Sequence, residues 1–242
     1  MFRFGAVVLA GFVVVAPSAA VANWGLVASC PTPCTEPRGL VGNYLVGDGA
    51  TPYVYYLSLT NGSVFSSFAA PGGPGAWGIT SAGENKFYLS NNQTSWIYEI
   101  TKSGSVLSSF KCPLPGPADM GYSWSTRLEL TIPDMNVLAI VNPERGSLVA
   151  TFPGPGLRPT SCTYYGWGYV ADAGTYSVYE EGRPIIEGIE SPTGIWVSFT
   201  TSDTKFKTEL FIVDTATKHI FCCHDNVAVI PASLGRIKTL FQ

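Results

Sequence analysis

A chain of 242 residues that is 46% hydrophobic, 13% aromatic and 13% charged is too apolar and too aromatic to be disordered. Its net charge of −3 and pI near 5.4 offer no basic face, which argues against nucleic acid as a partner. Frequent Gly (26) and Pro (18) suit many short strands joined by tight turns.

Residues 1–22 read as a secretory signal peptide. Arg3 supplies the positive start, Gly5 to Val15 is apolar but short for a bilayer span, and Ala20-Val21-Ala22 is a small-residue cleavage site. The expected destination is secreted, periplasmic or cell-surface, with no membrane attachment once the signal is removed. All six cysteines follow this segment, and an even count in an exported chain suggests disulfides, with 15 full connectivities possible.

Along residues 23–232 two markers keep step. A proline precedes a short apolar strand at Pro37, Pro74, Pro117, Pro159 and Pro192, with gaps of 37, 43, 42 and 33 residues. Five strands also run into an Asp or Asn: Asp48, Asn91, Asp134, Asp172 and Asp214. Between them Gly62-Ser-Val-Phe-Ser-Ser-Phe68 recurs as Gly104 to Phe110 and Gly146 to Phe152, offset by 42 each time. A repeat near 40 residues predicts an all-β, five-bladed β-propeller with four-stranded antiparallel blades. In the clearest copy the strands are Trp77 to Thr80, Lys86 to Ser90, Trp96 to Thr101 and Val106 to Phe110. On the third, Trp96, Tyr98 and Ile100 share one face, and Ile97 and Glu99 the other. An insertion at Thr200 to Thr208, rich in Ser, Thr, Asp and Lys, reads as a surface loop.

Terminal strands are expected to close the ring. Gly25 to Cys30 falls at the outer-strand position before the first proline marker, so its partner is the last blade; Val227 to Ile230 competes for that edge. Residues 233–242 form a tail of unassigned role. If the N-terminal strand pairs there, Cys30 or Cys34 could bridge to Cys222, with Cys223 a further disulfide candidate.

The proline-led strand, the strand ending in Asp, and the Gly-Ser-Val-x-x-Ser-Phe segment together resemble the NHL/YVTN-type propeller repeats of exported bacterial proteins. The likeness covers nearly all of residues 25 to 231. It implies a propeller fold whose relatives range from binding scaffolds to streptogramin-type lyases and lactonases, so fold alone does not transfer activity. Streptogramin-type lyases use histidine and glutamate with a divalent metal near the channel. Here the two histidines, His219 and His224, lie on a third strand away from it, and the sequence departs from that pattern.

Propeller ligands bind where the loops entering the innermost strands converge. Those loops carry Glu36, Arg38, Trp77, Asp119, Arg158, Thr160, Glu190 and Thr193, a set that could hold a polar or charged ligand. The repeated Asp and Asn positions instead suit turn hydrogen bonds, since an Asp there can bond backbone just ahead of it. His219-Ile-Phe-Cys222-Cys223-His224 alternates faces along a strand, which separates the four residues a zinc site would need. No nucleophile elbow or phosphate loop is present. The sequence therefore favours a monomeric binding or scaffold propeller for a small molecule, glycan or protein, with no cofactor, metal or catalytic residue assigned. The alternative is a metal-dependent small-molecule lyase or lactonase using the same face, in which Glu36, Asp119 and Glu190 would supply carboxylates.

Overall fold

The computed structural model describes residues 24–47, 52–123, 126–163, 168–202 and 205–224. The signal segment, Asp48, the competing strand at Val227 to Ile230 and the tail at 233–242 lie outside the described residues.

Strand β1 (Gly25–Pro31) comes first and belongs to the last blade. Blade 1 is β2 (Pro37–Val41), β3 (Tyr44–Gly47), β4 (Tyr53–Leu57) and β5 (Val64–Ala69); blade 2 is β6 (Ala76–Ser81), β7 (Lys86–Asn91), β8 (Trp96–Thr101) and β9 (Val106–Lys111). Blade 3 is β10 (Met120–Tyr122), β11 (Leu128–Ile132), β12 (Val137–Asn142) and β13 (Ser147–Pro153); blade 4 is β14 (Pro159–Thr163), β15 (Tyr169–Asp172), β16 (Ser177–Glu180) and β17 (Arg183–Glu187). Blade 5 joins β18 (Pro192–Ser202), β19 (Lys205–Asp214) and β20 (His219–His224) to β1. Every blade is a four-stranded antiparallel sheet, so the architecture is the five-bladed propeller that the repeat predicts.

The ring closes through β1 on β20, with Gly25 opposite His224 and Pro31 opposite His219. The Cys30 to Cys222 bridge is not formed, and none of the six cysteines is joined in a disulfide. Register explains this: Cys222 faces Ala28 and Cys30 faces Ile220, so the two thiols sit diagonally on one face. Diagonal Cβ atoms are about 7–8 Å apart, beyond the roughly 3.5–4.5 Å a disulfide needs. Cys30 and Cys222 pack into the core between blades 5 and 1, with Cys34 at its margin; Cys223 points the other way, into the core with blade 4. Burial pushes the Cys223 thiol up to about 12, which marks a packed thiol and not a nucleophile.

The stretch read as a surface loop is instead a hairpin extension. β18 and β19 stay paired out to Ser202 and Lys205. Its threonines are β-branched and favour strand, which outweighs the polar content.

The cores lie in the seams between blades. Side chains alternate along each middle strand: Ile97 joins Leu128, Leu130 and Ile132 toward blade 3, while Ile100 joins Val46, Val54 and Leu89 toward blade 1. At the axis the innermost strands nearly touch. A Cβ on Gly39 would stand 2.7 Å from Gly78 Cα, and one on Gly78 would stand 2.4 Å from Asp119 Cα. Only glycine permits that approach, and it brings backbone and Asp119 together where the channel would run.

Candidate functional site

Loops entering the innermost strands, and the turns joining second to third strands, lie at one end of the ring. The repeated Asp and Asn positions tie the two sets together. Asp172 Oδ1 accepts from Thr175 N–H (2.8 Å), and its Oδ2 accepts from Arg158 N–H (2.7 Å) in the entry loop. Asp214 Oδ1 likewise accepts from Ser191 N–H (2.8 Å) and Ala216 N–H (3.1 Å). Asn91 Oδ1 accepts from Thr94 N–H (2.9 Å), and its amide donates to Pro74 O (3.0 Å). In blade 3 the turn is a 3-10 segment, Pro133–Met135, and Asp134 is exposed. Asn136, left-handed at φ 52°, instead donates to Gly156 O (3.1 Å).

The eight sequence-predicted residues divide into two groups. Asp119, Thr160 and Thr193 are only 1–2% exposed and spend their polar atoms on neighbouring blades. Asp119 N–H donates to Thr160 O (3.3 Å), Thr160 Oγ1 donates to Pro192 O (2.5 Å), and Thr193 Oγ1 donates to Pro37 O (3.0 Å). Ser90 Oγ adds a bond to Ala118 O, linking blade 2 to blade 3. These contacts run around the axis from blade to blade.

Asp119 is the hub of that arrangement. Its Oδ1 accepts from Ile79 N–H of blade 2 (3.1 Å), and its Oδ2 accepts from Ser161 Oγ of blade 4. The amides of Met120 and Ile195 also point at it. Burial pushes its carboxyl up to about 8, against the pull of those donors.

The second group is at the surface. Arg38 lays its guanidinium over the Trp77 ring, 4.2 Å from the centroid, and pairs through Nη2 with Glu36 Oε2 at 2.8 Å. The structure thus brings three of the eight into one contact across blades 1 and 2. Trp77 Nε1 is buried without a hydrogen-bond partner. Arg158 and Glu190 are exposed on the entry loops of blades 4 and 5. Among the described residues no group of three or more His, Cys, Asp or Glu is arranged to hold a metal ion. His224 Nε2 lies 3.1 Å from Glu209 Oε1, within blade 5.

At the opposite end of the ring is a cleft that the sequence did not disclose, about 490 Å³, in the seam between blades 2 and 3. Tyr88, Glu99 and Ser108 cross blade 2 in register on one face, and Tyr122 meets Tyr88 from blade 3 at 5.7 Å between ring centroids. Lys86 Nζ pairs with Glu99 Oε1 (2.9 Å), and Ser108 Oγ donates to Glu99 Oε2 (2.7 Å). Lys86 and Ser108 draw the Glu99 carboxyl below its ordinary value, against the effect of burial. One signal was available: Glu99 stands where blade 1 has Tyr56, each opposite the corresponding tyrosine.

No protein-family model matches the chain, and no curated protein sequence matches it. Solved structures do. Glutaminyl cyclase of Myxococcus xanthus is similar with a TM-score of 0.65 at 16% identity, over 84% of this chain and 97% of that one. Virginiamycin B lyase from Staphylococcus aureus gives a TM-score of 0.48 at 18% identity, over 78% and 66%. The WD40 propeller domain of Doa1 gives 0.48 at 12%, over 76% and 61%. At these identities the likeness is one of fold: the chain is a β-propeller with distant propeller relatives.

Proposed function

We propose that the chain is an exported binding or scaffold propeller that takes an anionic ligand on its entry-loop face, at the Arg38–Trp77 pair. The guanidinium stacked on indole carries the proposal. An arginine held flat on a ring is preorganised, and the N–H edge not bound to Glu36 can receive a planar carboxylate in bidentate fashion. Arg158 on the same face adds a second cation. The close approach of the inner strands at Gly39 and Gly78 supports docking on the face over passage through the ring.

A protein of similar fold is named as a glutaminyl cyclase, which keeps a small-molecule enzyme on this face as the rival. An array of acidic and neutral peptides tests the proposal on the wild-type protein and on Arg38→Ala/Arg158→Ala. Acidic peptides should bind the wild type, and the double variant should lose them at an unchanged melting temperature. Binding that survives the double substitution overturns the proposal. Chemical conversion of a bound peptide would transfer the site to the rival.

A further inference from the structure

We infer that the cleft between blades 2 and 3 is a second, independent binding site, for an uncharged sugar. It opens at the end of the ring opposite the Arg38–Trp77 pair, among turns that join first to second and third to fourth strands. Its volume of about 490 Å³ is of the size that small ligands occupy.

Three features select the ligand class. The first is charge. Lys86, Arg145, Glu99 and Glu144 line the cleft and cancel in formal charge. Lys86 and Glu99 already satisfy each other at 2.9 Å, so an ionic ligand would have to break an existing pair. A neutral polyol needs only the lone pairs and N–H groups left over, and both charged partners offer those. The second feature is aromatic. Tyr88 and Tyr122 line the cleft with their ring centroids 5.7 Å apart, and they supply aromatic surface of the kind that packs against the apolar face of a pyranose. Burial, and then Glu99, Tyr122 and Glu144, push the Tyr88 hydroxyl up to about 12. It therefore stays protonated and can both donate to and accept from a sugar hydroxyl.

The third feature is that the cleft is a departure from this protein's own packing. In blade 1 the equivalent row is Tyr44–Tyr56–Ser66, and Phe87 of blade 2 packs on its inner end, 4.7 Å from Tyr44. Tyr56 is itself in ring contact with Tyr44 at 5.0 Å and with Phe65 at 5.2 Å. A seam serving only to hold blades together has an aromatic solution one blade away. At the blade 2 seam the Glu99 carboxylate, paired with the Lys86 ammonium, stands in place of the Tyr56 ring, and space for a ligand remains.

The test uses the full mature protein and saturation-transfer NMR with neutral disaccharides (lactose, maltose, cellobiose, chitobiose), with sialyllactose as the charged comparator. At least one neutral disaccharide should bind. Tyr122→Ala should weaken it at least tenfold. Because Tyr122 also packs against the core, Glu99→Gln serves as a second variant; it keeps the shape, removes the charge and should weaken binding at least threefold. Arg38→Ala should leave this binding unchanged, which separates the outcome from that of the entry-loop site. Binding by none of the neutral sugars, preference for sialyllactose, or binding indifferent to both Tyr122→Ala and Glu99→Gln overturns the inference.

Discussion

At the seam between blades 1 and 2, the row Tyr44–Tyr56–Ser66 meets Phe87 and becomes an aromatic cluster; at the seam between blades 2 and 3, the row Tyr88–Glu99–Ser108 meets Tyr122 across a cleft. The inner ends differ in the same sense. Glycine brings backbone against backbone in both, Gly39 on Gly78 and Gly78 on Asp119, but only across the second does a carboxylate, that of Asp119, accept the Ile79 amide. Both seams share deeper apolar layers: Val46, Val54 and Leu89 in one, Ile97, Leu128 and Leu130 in the other. Those layers hold the blades together through area removed from water. The polar positions above and below them are then free to vary, and at the second seam they have varied toward chemistry.

The largest effect is expected at the inner end of the second seam. Asp119→Ala would leave the amides of Ile79, Met120 and Ile195 and the Ser161 hydroxyl without their acceptor. Each buried orphan costs about 1–3 kcal/mol, so chemical denaturation should show a loss of at least about 4 kcal/mol. Asp119→Asn keeps the shape and tests the charge. With a native value near 8 against 3.8 for an ordinary aspartate, the folded protein holds a proton that the unfolded chain has released. Stability should therefore fall as pH rises from about 4 to about 8, and the penalty should be absent below that window. The Asn variant should lose this slope. An unchanged slope would falsify the assignment to Asp119.

The next largest effect lies in the sealed seam. Phe87 is 4% exposed, and Phe87→Ala should cost about 3–5 kcal/mol through lost transfer energy and the cavity left behind. Tyr122→Ala, on the wall of an existing cleft, should cost about 1–2 kcal/mol, because water already reaches one side of the ring. Equal losses at the two positions would mean that the second seam is packed as tightly as the first.

Much of this architecture was legible in the sequence because it repeats. Proline-led strands, Gly-Ser-Val segments and Asp turns recur at nearly constant spacing, and Gly25 to Cys30 had one open edge to join. Blade 3 blurred the turn pattern: Pro133 initiates a 3-10 segment there, Asp134 is exposed, and Asn136 reaches the entry loop of blade 4, where Asp172 and Asp214 each hold the entry loop of their own blade. The candidate sites were less legible. Arg38 and Trp77 were visible as entry-loop residues, but Thr160 and Thr193 occupy the matching positions of blades 4 and 5, Asp119 stands one residue further on where blades 1 and 2 have Gly39 and Gly78, and all three turn inward to bind neighbouring blades. Side-chain direction at an irregular inner strand does not follow from spacing; each of β2, β6, β14 and β18 shifts register near its start. The cleft was hidden for another reason. Its walls come from strands of two blades, and a Glu on the face of a middle strand reads locally as a solvated position.

The smallest effect should come from Glu99 itself. Lys86 and Ser108 hold its carboxyl below 4.5, its ordinary value, while the Lys86 side chain is 56% exposed. A depressed carboxylate contributes stability that is present above its unfolded value and lost as pH falls through its folded one. Glu99→Gln should therefore cost a small amount of stability at neutral pH, as a partly exposed ion pair does, and nothing in acid, so that the two stability curves converge below about pH 4.5. Salt should erase the difference, since an exposed pair is screened within about 10 Å at 0.1 M ionic strength. Paired acid titrations at low and high salt decide this. A large loss at neutral pH would assign Glu99 to holding the blades together; a small loss that vanishes in acid and in high salt leaves its carboxylate available to a ligand at neutral pH, which is what separates this seam from the one where Phe87 packs on Tyr44.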